Sequence, residues 1–221
     1  MLKAASVVFF LFVSVSFADQ RSGSAALDRA VRAFREGKLN EAETQAEVAV
    51  RNNAHKPEAI NLLGAILTRR KLYSEAEGQF QAALALEPEY YPAKLNYAEL
   101  ELLRGNYQKA TELYEELQRA DPKSELVQFN LVLCSLLSGS DGQLASRVDS
   151  IIFPGLTPAY YYARAAIALK QGQKSSALAY FDLAKKYYSD AQCAYFRQSL
   201  TELGLLPTEP EVAGKRSPKK S

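Results

Sequence analysis

The strongest constraint on this chain is a repeating interval. Ala42, Ala76 and Ala110 stand 34 residues apart, and the same step links Ala49 to Ala83, Tyr73 to Tyr107, Phe80 to Tyr114 and Pro88 to Pro122. Within one period, Ile60, Leu63, Gly64 and Leu67 recur at steps of three and four, as do Ala76, Phe80, Ala83 and Leu84. That spacing puts each set on one face of a helix. Pro57 suits the first turn of the leading helix, and Pro88 ends the trailing one. Two helices this short cannot bury an apolar face alone, so each pair needs a neighbour, and the neighbour is the next copy.

A helix–turn–helix unit of this period resembles the tetratricopeptide repeat. Residues 57–90 carry Leu63-Gly64, Ala76, Phe80, Ala83 and Pro88 in the family's phase, with Ile60 and Leu67 where aromatics are usual. The resemblance covers roughly residues 23–190. It implies an all-α fold, a right-handed α-solenoid of about five helix–turn–helix repeats with a C-terminal capping helix. The expected layout is a signal peptide over 1–18, the solenoid over 19–206 and a basic, Pro-rich, disordered tail over 207–221.

Lys3 followed by the apolar run from Val7 to Val15 and by Ser16-Phe17-Ala18 reads as a cleaved secretory signal, with Asp19 the first mature residue. The interval from Lys3 to Asp19 is short of the ~20 apolar residues a membrane span needs. The mature protein is therefore expected outside the cytoplasm, and in the periplasm if the source is bacterial. The formal charge is +2; with Lys3 removed and the tail's net +2 set aside, the repeats carry about −1. A nearly neutral body argues against nucleic acid.

Along the chain, Leu27, Ala30, Val31 and Phe34 open a degenerate first repeat that turns at Gly37. A worn terminal repeat is expected where one side lacks a neighbour. The fourth repeat departs from the pattern: Leu144, Val148 and Ile151 replace the small and aromatic residues of its second helix, over about 141–152. Phe153-Pro154-Gly155 then forces a break. The fifth repeat starts at Thr157-Pro158 and turns at Gly172, one residue out of phase. Residues 191–203 form a last helix expected to cover the open edge of repeat five, with Arg197, Gln198 and Glu202 toward solvent.

Little in the sequence suggests catalysis. His55 is the only histidine, which leaves no partner for a metal site or a histidine acid–base pair. The glycines fall at repeat turns rather than in a phosphate loop. No cofactor is expected. Cys134 and Cys193 lie about two repeats apart, beyond disulfide reach, and are expected to be buried free thiols.

In the family, inner-helix positions line the concave face. Mapped onto this chain they give Leu95, Glu99, Leu102 and Leu103 in repeat three, Phe129, Leu133, Leu136 and Leu137 in repeat four, and Tyr162 in repeat five. Family members that clamp a C-terminal carboxylate carry Lys, Arg and Asn where this chain has Leu, Phe, Tyr, Ala and Glu99. That function is therefore not expected. The helix at 126–137 is apolar all round, so something covers it. Three covers are open: the chain itself, through a tight superhelix or the 141–156 segment; a partner's apolar peptide or amphipathic helix; or a second copy. Asn96 and Asn130, 34 apart, are expected to hydrogen-bond between repeats. Tyr90-Tyr91, Tyr160 to Tyr162 and Tyr187-Tyr188 offer a weaker indication of an aromatic protein-binding surface.

These features together describe a non-catalytic, extracytoplasmic protein-interaction scaffold that holds a partner in the apolar groove of repeats three to five. Assembly of a bacterial envelope complex is the expected setting. A structural homo-oligomer closing its own groove is the alternative, and an enzyme or metal protein a remote one.

Overall fold

The computed structural model describes residues 25–52 and 56–207. The expected signal segment, His55 and the tail beyond Pro207 lie outside them. The described residues form eleven helices and no strand. Five hairpins follow one another: α1 (Ala25–Arg35) with α2 (Leu39–Asn52), α3 (Pro57–Arg69) with α4 (Tyr73–Leu86), α5 (Tyr91–Arg104) with α6 (Tyr107–Ala120), α7 (Glu125–Ser138) with α8 (Asp141–Ser150), and α9 (Ala159–Lys170) with α10 (Lys174–Tyr187). The last helix is α11 (Asp190–Glu202). None is long and apolar enough to cross a membrane.

Each first helix packs on its partner and on the first helix of a neighbouring hairpin; each second helix also packs on the next first helix. Small residues make this stacking close. Ala42, Ala76, Ala110 and Ala177 are all but fully buried where the two helices of a hairpin meet. Gly64 is required at its crossing, because a Cβ there would come within 2.6 Å of the Phe80 ring. The hairpin turns need a left-handed residue, and Gly37, Gly105, Gly139 and Gly172 supply it. The same turn in repeat two falls on Lys71, with φ +62°, the one non-glycine residue at positive φ among the described residues.

A polar network ties repeat two to repeat three. Glu77 accepts from the Tyr97 hydroxyl at 2.8 Å, from Arg104 at 2.6 Å and from Lys109 at 3.2 Å. Lys109 also reaches Tyr97 and the fully buried Glu101. These donors hold the Glu77 carboxyl at about 2, well below the usual carboxylate range.

Repeat four is irregular, as its sequence suggests. Helix α8 ends at Ser150, two residues short of the expected span, and packs only lightly on α9, while α7 packs directly against α9. The connection over 151–158 is pinned from below. Buried Glu125 accepts from the backbone N–H groups of Leu156 (2.7 Å) and Thr157 (2.8 Å) and from the Thr157 hydroxyl. Tyr188 donates to the Gly155 carbonyl at 3.0 Å. The carboxylate thus replaces the missing helical packing, and it sets α9 beside α7.

Candidate functional site

The inner helices α3, α5, α7 and α9 carry the predicted groove residues. Leu95, Glu99, Leu102, Phe129, Leu133, Leu136 and Tyr162 are brought together along one side of the stack, and all are buried; Leu103 and Leu137 are half-buried. The chain's own last helix covers Glu99, Phe129 and Tyr162. The 141–156 segment does not: Val148 and Ile151 of that segment are core residues, and Arg147 and Ser146 lie beside Leu131, a core-face residue of α7.

Helix α11 starts with a complete capping box. The Ser189 hydroxyl accepts from the Gln192 N–H, and the Gln192 side chain accepts from the Ser189 N–H. From there it does more than cover the edge of repeat five. Phe196 packs against Tyr162 of repeat five (ring centroids 5.7 Å) and edge-on against Phe129 of repeat four (4.9 Å, 73°). Tyr195 hydrogen-bonds with Asn130 of repeat four and with Glu99 of repeat three. Glu202 pairs with Arg69 of repeat two at 3.6 Å. A helix of thirteen residues, about 20 Å long, therefore touches four successive repeats. The sequence pattern places Arg197, Gln198 and Glu202 toward solvent. Glu202 is exposed, as expected, while pairing with Arg69; Arg197 and Gln198 are instead half-buried.

The buried face of α11 comprises Cys193, Tyr195, Phe196, Ser199 and Leu200. These residues act as groove contents, a role the repeat pattern does not flag. The signal available was an aromatic pair on the apolar side of AQCAYFRQSLTEL, together with a groove too apolar to stand open.

The electrostatics are unusual for a groove so apolar. Burial pushes the Glu99 carboxyl well above the usual carboxylate range; Glu202 adds to the rise, and Arg69 and the hydrogen bond from Tyr195 oppose it. Asn96 donates to Asn61 at 2.9 Å, an inter-repeat bond as expected. Asn130 turns to Tyr195 instead, and the Nδ2 of Asn61 has no acceptor. Of the tyrosines offered as an aromatic surface, Tyr90, Tyr161 and Tyr162 are buried, and Tyr187 is exposed. Cys134 and Cys193 are free and buried, and burial lifts the Cys134 thiol to about 12. Among the described residues no cluster of potential metal ligands occurs.

Paired helices stacked in register, with their first helices lining a shared groove, define an α-solenoid of helix–turn–helix repeats. Family models of the tetratricopeptide repeat match residues 27–88 and 67–131. The fold is similar to that of a thermophilic TPR protein of Thermus thermophilus (20% identity, TM-score 0.64, covering 79% of this chain and 97% of that one). It is also similar to a tetratricopeptide repeat protein from Parabacteroides merdae (20%, 0.65, 81% and 70%) and to Pseudomonas aeruginosa pilF (18%, 0.54, 80% and 83%). None of the curated proteins matches the chain. Residues 27–131 are thus tetratricopeptide repeats, and the described helices as a whole have the fold of a tetratricopeptide-repeat protein. This fold is that of a protein–protein interaction scaffold, a class in general without catalytic activity.

Proposed function

We propose that this protein is an extracytoplasmic adaptor that takes an amphipathic helix of a partner protein in the groove of repeats three to five. Phe129, Leu133, Leu136 and Tyr162 would form the apolar floor with Leu95 and Leu102, Glu99 its polar point, and Leu103 and Leu137 the rim. One observation carries this reading: an amphipathic helix, α11, already fits the groove, with Phe196 seated against Phe129 and Tyr162. Helix-in-groove recognition uses anchors spaced by helical turns on a preformed apolar surface, and rigid repeats lower the ordering cost of binding. The extracytoplasmic setting rests on the leader-like segment 1–18, and a role in assembling an envelope complex follows from that setting.

The test is photo-crosslinking in cells. A benzophenone amino acid at Leu103 or Leu137, on the groove rim, should capture a defined partner, while one at Glu47, exposed on α2, should not. Equal capture from both positions, or none from the rim, would overturn the groove reading. Intact mass of the exported protein checks cleavage before Asp19. The alternative, a homo-oligomer, requires α11 to be exchanged between copies, and a monomer by light scattering across a wide concentration range excludes it.

A further inference from the structure

We propose that α11 is a replaceable occupant of the groove, so that the partner this surface fits is a helix built like α11: an aromatic pair, a leucine about one turn later, and no charge on the buried face. The inference rests on the groove reading above and names the chemistry of its ligand.

Three observations lead to it. First, α11 is joined to the repeats by one short link. Tyr188 and Ser189 are both extended (ψ 149° and 157°), and rotation there would move the helix as a unit, at the cost of the bond that Gln192 donates to the Leu156 carbonyl at 3.4 Å. Its start is capped by its own Ser189 and Gln192, so it carries that cap out of the groove. Second, its apolar fit is specific: Phe196 contacts two repeats, and Leu200 is fully buried. Third, its polar fit is incomplete. The Tyr114 hydroxyl, beside Glu99 and Tyr195, is buried without a partner, and Glu202 of α11 sits near the buried Glu99 carboxyl. Unpaired buried polar atoms weaken an occupant. A helix that satisfied them would displace α11 despite the millimolar effective concentration of a tethered competitor.

The chain contains its own reporters. Cys193 lies on the buried face of α11, and Cys134 lies in α7. In the full-length protein, maleimide labelling followed by mass spectrometry should modify Cys193 at least about tenfold faster than Cys134, because local opening precedes global unfolding. Equal rates would overturn the inference. A fluorescent peptide of residues 189–206 (Cys193→Ser) should then bind the full-length Phe196→Ala chain about tenfold or more tighter than the wild type, whose groove is held by its own helix. Equal or absent binding to the two chains would overturn it, as would exposure of Cys134 in Phe196→Ala. Rim crosslinking that still captures a partner would then leave the adaptor function standing and remove only the exchange of α11.

Discussion

Phe196, near the middle of the last helix, meets Phe129 of α7 edge-on with ring centroids 4.9 Å apart. The contact joins the C-terminal helix to the middle of the stack and makes the groove an interior. Repeat position alone would place Phe129 on an open wall; it is fully buried.

The two rings should not be equivalent in stability. Phe129→Ala leaves a cavity inside α7's packing and should cost about 3–5 kcal/mol in urea unfolding of the full chain. Phe196→Ala should cost less, because α11 can leave while the ten preceding helices stay folded. Equal losses would mean that α11 belongs to the cooperative core.

Acid and base should act on different parts of the molecule. Glu77 has a lowered carboxyl value, so its stabilisation of repeats two and three is present above the ordinary value of 4.5 and is lost as pH falls toward about 2. Glu99 has a raised value, so its contribution is present below the ordinary value and is lost as pH rises through the raised one. The groups facing Glu99 are Glu202 and Tyr195 from α11, Arg69 from α3 and Tyr114 from α6. Cys193 labelling should therefore accelerate with pH beyond the thiol's own ionisation, and Glu99→Gln should abolish the excess. An unchanged profile in Glu99→Gln would remove the carboxyl from the docking equilibrium.

Lys71 occupies the left-handed turn position that four other repeats give to glycine. Left-handed backbone costs an ordinary L-residue roughly 1–2 kcal/mol. Lys71→Gly should raise stability by about 0.5–1 kcal/mol once glycine's added unfolded-state freedom is offset. Thermal unfolding reads this as a higher midpoint; a lower one would show that the Lys71 side chain is worth more than the strain.

Gly64→Ala should do the reverse. The added methyl meets the Phe80 ring at 2.6 Å, and repacking should cost about 1–3 kcal/mol. A neutral result would mean that the α3–α4 crossing can open without penalty.

The repeat architecture was legible because close helix crossings demand small residues at fixed intervals, and Ala42, Ala76 and Ala110 announce it by their spacing alone. The short α8 was legible too, in Leu144, Val148 and the Phe153-Pro154-Gly155 break. The stapling role of Glu125 was not, since the N–H groups it accepts from lie more than thirty residues further along the chain. The occupant of the groove was half legible. The excess of apolar residues in α7 showed that a cover must exist. Which segment supplies it depends on how the stack curves and on the direction in which the chain leaves α10, and neither leaves a periodic trace. The aromatic pair Tyr195-Phe196 was visible but fitted ordinary capping equally well.

The position of α11 has a consequence for biogenesis. A chain made from its N-terminus completes every wall of the groove before the segment that fills it exists. During that interval Phe129 and Tyr162 lack the Phe196 ring that packs on both, and the newborn repeats are at their stickiest. A chaperone or a waiting partner thus meets the groove first, and the protein's own last helix arrives as the latecomer.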